Sequence, residues 1–160
     1  MKKKSITAIK KDIHSMIREV VIQFKPLDTE RIKVDNPGRV SAFIQEKIGN
    51  NARESFILLC IGNKNEVVSY SVISVGTINE AIVHPREVFL SAIMTKASGV
   101  IVAHNHPSGS NLPSRHDIET TKRLVEAGKV IGIQLVDHII VGFNDNYGHH
   151  YSMKENGYIN

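Results

Sequence analysis

At 160 residues the chain fits one domain of ordinary size, long enough to bury a core without disulfides or a structural metal. With 41% hydrophobic and 22% charged residues and no apolar run near the ~20 residues of a membrane span, it reads as a soluble globular protein. Cys60 is the only cysteine, which excludes an internal disulfide, and the net charge of +4 is unevenly spread: residues 1–33 carry nine Lys or Arg against four acids, residues 34–160 eleven against twelve.

The chain starts Met1-Lys2-Lys3-Lys4-Ser5, but an amphipathic mix with Lys10, Lys11 and Asp12 follows instead of the apolar core of a secretory signal, so a cytoplasmic location is expected. Residues 1–34 form a basic N-terminal extension. Ile9, Ile13, Met16, Ile17 and Val20 recur at helical spacing, while Val20 to Phe24 suits a strand equally well. No aromatic residue interleaves with Lys2 to Lys4 to stack bases, so this tail reads as a solvating segment in preference to a DNA-binding arm.

The domain proper spans 35–160. After the turn-like Asp35-Asn36-Pro37-Gly38, the residues Val40, Phe43, Ile44 and Ile48 predict a short helix ending near Gly49. The run Glu54 to Gly62 is apolar on both alternating faces, as in a central strand covered on both sides, and Cys60 within it reads as a small buried hydrophobe. Asn63-Lys64-Asn65 turns the chain into a second strand, Val67 to Val75. Pro85 opens a helix with Val88, Phe89, Ala92, Ile93 and Ala97 on one face, and the strand Val100 to Ala103 follows Gly99. A helix from about Ser114 to Val130 precedes two closing strands, Gln134 to Val141 and Gly148 to Met153; His149 and His150 read as exposed. This alternation predicts an α/β fold in three layers, a mixed β-sheet flanked by helices.

Chemistry concentrates in Ala103-His104-Asn105-His106-Pro107-Ser108-Gly109 with Ser114 and Asp117 downstream. Residues two apart on a strand face the same way, so His104 and His106 can offer two nitrogens to one ion, and Asp117 can return through the intervening loop as a third ligand. Two imidazoles and a carboxylate suit Zn2+, one per chain, while iron, manganese and cobalt share the ligand preference. Such an ion lowers the pKa of bound water from 15.7 to about 7. Glu54, an acid opening an apolar strand, is the candidate general base. Ser114 is the candidate donor to an oxyanion, a contribution worth ~3 kcal/mol of barrier. Ser114 with Asp117 is also a helix-capping pair, and both roles can coexist. Asp137 is a candidate outer partner that would hold a ligating histidine by its second ring nitrogen, with a surface or strand-pairing role as the alternative.

These segments, together with His84-Pro85-Arg86-Glu87-Val88-Phe89, Pro113-Ser114-Arg115 and Asp137-His138, resemble the JAB domain of RadC-type proteins over roughly residues 35–153. The resemblance implies a JAB/cytidine-deaminase-like fold and the JAMM pattern of metal-dependent hydrolases: Glu54 as base, His104, His106 and Asp117 as zinc ligands, Ser114 as oxyanion helper. It implies a metallopeptidase or isopeptidase acting on a peptide or isopeptide amide, since relatives of the wider class remove ubiquitin-like modifiers. RadC-type members also carry a DNA-repair label. A DNA-associated accessory module of repair or mobile elements, with a secondary metal site, is therefore the competing reading. The segment before Asp35 is too short for the helix-hairpin-helix region of longer members, which weighs against it. An iron oxygenase built on the same three ligands is disfavoured because the strand–helix alternation does not suggest a double-sheet jelly roll.

Overall fold

A computed structural model describes residues 17, 21, 23–76, 83–142 and 150–160. Its elements run α1 (Pro37–Ile44), a π-helical turn (Gln45–Gly49), β1 (Glu54–Ile61), β2 (Val67–Gly76), α2 (Pro85–Met94), β3 (Gly99–His106), α3 (Arg115–Ile131), β4 (Gln134–Gly142) and β5 (His150–Ser152). The strands form one mixed sheet in the order β2-β1-β3-β4-β5, in which β3 and β4 are parallel and the remaining pairs antiparallel. The hairpin joining β1 to β2 closes through Asn65 with a positive φ of 55°, a conformation that asparagine tolerates better than most residues.

β1 explains the layering. From Ser55 to Ile61 every residue is buried, and alternate side chains enter different cores. Phe56, Leu58 and Cys60 pack with Val88 and Phe89 of α2 and Leu124 of α3, whereas Ile57, Leu59 and Ile61 pack with Val40, Phe43 and Ile44 of α1 and Ile48. Helices thus cover both faces, giving the expected three-layer α/β architecture. No helix among the described residues is long and apolar enough to cross a membrane.

Several boundaries differ from expectation. The helical stripe through Ile48 does end at Gly49, but its last turn is π-helical: the α pattern stops at Ile44 and the π turn carries Ile48 onto the sheet. Ile93 is 55% exposed and Ala97 lies beyond α2, so the buried face of that helix is Val88, Phe89 and Ala92 alone. His150 is not exposed; it is half-buried in β5 opposite Val141. His149 and most of the N-terminal helix-or-strand segment lie outside the described residues; Val21, Gln23 and Phe24, which are described, are in no strand.

Candidate metal centre

The site lies where β1 begins and β3 ends. Their antiparallel register pairs Phe56 with His104, and two residues further along each strand Glu54 Oε1 comes within 3.7 Å of His106 Nε2. Strand parity then turns Glu54, Phe56, His104 and His106 to one face, the face covered by α3. Asp117 arrives from the first turn of that helix, which starts with a complete capping box. The Asp117 N–H donates to Ser114 Oγ (3.2 Å) and the Ser114 N–H donates to Asp117 Oδ2 (2.7 Å).

The five expected residues therefore meet. His104 Nε2 lies 3.0 Å from His106 Nε2 and 3.2 Å from Asp117 Oδ1, and His106 Nε2 lies 3.7 Å from Asp117 Oδ2. Glu54 Oε1 is 3.8 Å from His104 Nε2 and 3.7 Å from His106 Nε2. Zinc bonds of 2.0–2.1 Å in a tetrahedron place ligand atoms about 3.3 Å apart, so these separations suit a single ion held by two nitrogens and an oxygen. Glu54 with the two histidines is also a set whose ligand atoms lie within 4.8 Å of one another. Asp117 is the more buried of the two carboxylates beside the imidazoles. Its side chain is only 3% exposed against 17% for Glu54, a buried carboxylate needs a cation, and Ser114 already holds its second oxygen.

Electrostatics follow from that crowding. Burial pushes His104 well below the usual imidazole range, helped by His138 and opposed by Asp117. Burial alone would raise Asp117, yet His106 and His104 beside it and the Ser114 donors pull its carboxyl well below the carboxylate range. His106 is raised, mainly by the Asp117 carboxylate beside it. Its Nδ1 sits 2.9 Å from the Ser110 carbonyl, an acceptor only, so Nδ1 carries the hydrogen and Nε2 turns its lone pair inward when the ring is neutral.

Among the described residues Asp137 pairs with no histidine ring. An irregularity in the β3–β4 register at Val100/Ile101 pairs Ile101 with Asp137, turning Asp137 towards the α1 side of the sheet. There its carboxylate accepts from Ser152 Oγ (2.6 Å), Lys154 N (3.0 Å) and His138 N (2.7 Å), tying β4 to the chain beyond β5. The position behind His104 belongs to His138, which pairs with Val102 and points to the α3 side of the sheet: its Nε2 is 2.9 Å from His104 Nδ1 and its Nδ1 is 2.7 Å from Thr121 Oγ1. Asn105 was also unassigned from sequence. Fully buried on the opposite face, it accepts from the Ser55 N–H (2.7 Å) and donates to the carbonyls of Asn51 (3.1 Å) and Arg53 (3.3 Å), clamping the segment that presents Glu54. The signal was present in both cases, as a polar residue at a strand position where an apolar one is expected.

The model of the RadC-like JAB domain matches residues 34–158. Curated relatives include UPF0758 proteins of Methanosarcina barkeri (44% identical over 127 residues, 79% of this chain and 54% of the relative) and Caldanaerobacter subterraneus (45% over 129 residues, 81% and 54%). That of Rubrobacter xylanophilus is 46% identical over 126 residues, 79% of this chain and 53% of the relative. The chain spans about half the length of these proteins. With nearly all of the described sheet and every residue of the metal centre inside the matched region, the chain belongs to the RadC-like JAB domain family.

Proposed function

We propose that the chain is a zinc-dependent hydrolase of the JAMM type that cleaves a peptide or isopeptide amide, with His104, His106 and Asp117 holding the ion. The reading is carried by the convergence of His104 Nε2, His106 Nε2 and the Asp117 carboxylate oxygens, at separations of 3.0–3.7 Å, beside a second carboxylate. A divalent cation bound there supplies Lewis acidity, lowering the pKa of a coordinated water to about 7 and polarising a carbonyl. The protein's own groups supply the rest. Glu54, partly open to solvent and equidistant from the two imidazoles, is placed to take a proton from water and return it to the departing nitrogen. Ser114 is exposed and its Oγ accepts from Asp117 N, which uses a lone pair and leaves the hydroxyl hydrogen to donate to oxygen of the attacked carbonyl. Capping and catalysis thus use different parts of one hydroxyl.

The test separates metal from base. Protein purified without added metal should hold about one zinc per chain, and His104→Ala or Asp117→Ala should lose it. Glu54→Gln should retain the metal while turnover of a peptide or isopeptide substrate falls roughly 100- to 10,000-fold. A fully active Glu54→Gln variant removes the assigned base; wild-type protein that cannot be loaded with zinc removes the centre.

A further inference from the structure

Behind the candidate metal centre runs a chain of hydrogen-bonding groups whose proton order follows from the donor at one end. It starts at a backbone carbonyl. Thr121 Oγ1 lies 2.7 Å from the Asp117 carbonyl oxygen, which can only accept, so the single hydroxyl hydrogen points there. The same Oγ1 is 2.7 Å from His138 Nδ1, and with its own hydrogen spent it must accept, so His138 carries its hydrogen on Nδ1. A neutral His138 then has a lone pair on Nε2. Across the 2.9 Å to His104 Nδ1 the hydrogen has to come from His104. His104 is therefore protonated on Nδ1 and directs the Nε2 lone pair at His106 and Asp117.

All three groups are sealed from water: Thr121, His138 and His104 are each 0% exposed. Phe56 stacks on His104 with ring centroids 6.0 Å apart and meets His138 edge-on at 5.6 Å, so one apolar ring flanks both imidazoles. The circuit also closes on itself. Asp117 supplies the carbonyl that orients Thr121 and the carboxylate that faces His104 Nε2 at 3.2 Å.

We infer that Thr121 and His138 are positioning residues that set the tautomer of His104, so that the folded chain presents a preformed Nε2 ligand to a divalent cation. This inference rests on the metal-centre reading above. His138 touches neither water nor the cation position. It acts through His104, as the ring of one histidine oriented by another in place of the more usual carboxylate or carbonyl. Because His106 is set the same way by the Ser110 carbonyl, two imidazole lone pairs face each other at 3.0 Å, an arrangement that only a proton or a cation relieves.

Zn2+ alone, titrated into the metal-stripped full chain against a chromophoric chelator, is the first measurement. Thr121→Val keeps the shape and removes the hydroxyl, and it should weaken Zn2+ binding about 10- to 100-fold. Thr121→Ser restores the hydroxyl and should bind close to wild type. Unchanged affinity in a folded Thr121→Val variant overturns the inference. Should Thr121→Val not fold, ring-nitrogen NMR of the wild-type metal-free chain decides instead: His104 and His138 should both be protonated on Nδ1 and bare on Nε2. The opposite pattern at either ring overturns the inference. A wild-type chain that binds no Zn2+ yet shows the expected pattern would sink the metal reading and leave the proton order standing, so the two failures are distinguishable.

Discussion

Asn105 shows how much one side chain between the two histidines can decide. Its carboxamide satisfies one buried backbone donor and two partly buried backbone acceptors of the segment 51–55, on the sheet face away from the candidate metal site. Asn105→Ala would leave the Ser55 N–H without its partner, a cost of about 1–3 kcal/mol, and would loosen the strand start that carries Glu54. Zinc content should be retained, because His104, His106 and Asp117 do not depend on that clamp, while kcat should fall as the base loses its place. A variant that loses metal and activity together would show instead that Asn105 supports the ligands. The same scale shows what the sequence hid. A His-x-His pair is readable because two imidazoles on one strand face have few packing explanations. His138 was concealed beside Asp137, whose carboxylate drew the assignment; one register irregularity in β4 turned the acid to the far face and left the neutral ring behind His104.

Elements bring the site together through close backbone approach as well as through parity. β1 and β3 were legible because burial on both faces writes a continuous apolar run, and the capping box wrote the start of α3 in Ser114 and Asp117. The π turn after α1 was not legible, since its apolar spacing matches an ordinary helix. Nor was the contact between β4 and the loop after His106, which depends on a residue with no side chain. A methyl on Gly142 would overlap the Gly109 carbonyl, and this backbone cannot yield as a flexible side chain would. Gly142 also receives the Gln45 amide at its carbonyl (3.3 Å), which holds it from the other layer. Gly142→Ala should therefore displace the loop whose Ser110 carbonyl orients His106. Zinc affinity should drop by at least tenfold, with thermal stability lowered by about 1–3 kcal/mol from overpacking. Wild-type affinity in that variant would mean that the loop adapts without moving Ser110.

Over the whole molecule, the histidines make stability depend on pH in a way that the metal should reinforce. Burial lowers His138 to about 4 and pushes His104 down as well, whereas in the unfolded chain both titrate near the ordinary 6.5. Between those values the unfolded chain binds more protons than the folded one. The stability these rings permit is complete above about 6.5 and is lost as pH falls towards 4, on the order of 3 kcal/mol for His138 alone. His106 has the opposite sign: Asp117 raises it, so its contribution is held at low pH and lost as pH rises through its folded value, an offset from a partly exposed ring that is smaller than two fully buried ones. The metal-stripped chain should accordingly show a midpoint of thermal unfolding that declines from pH 7 to pH 5. Zinc binds the neutral imidazoles of the folded state; at 100 times its dissociation constant it adds about 2.7 kcal/mol, or roughly 5–11 °C for a chain of this size. That gain should shrink as pH drops, because protons compete for the same nitrogens. Scanning calorimetry of stripped and zinc-loaded protein at pH 7, 6 and 5 reads both trends. A pH-independent midpoint in the stripped protein would mean that His104 and His138 are not buried as neutral rings, and the proton order behind the metal centre would go with them.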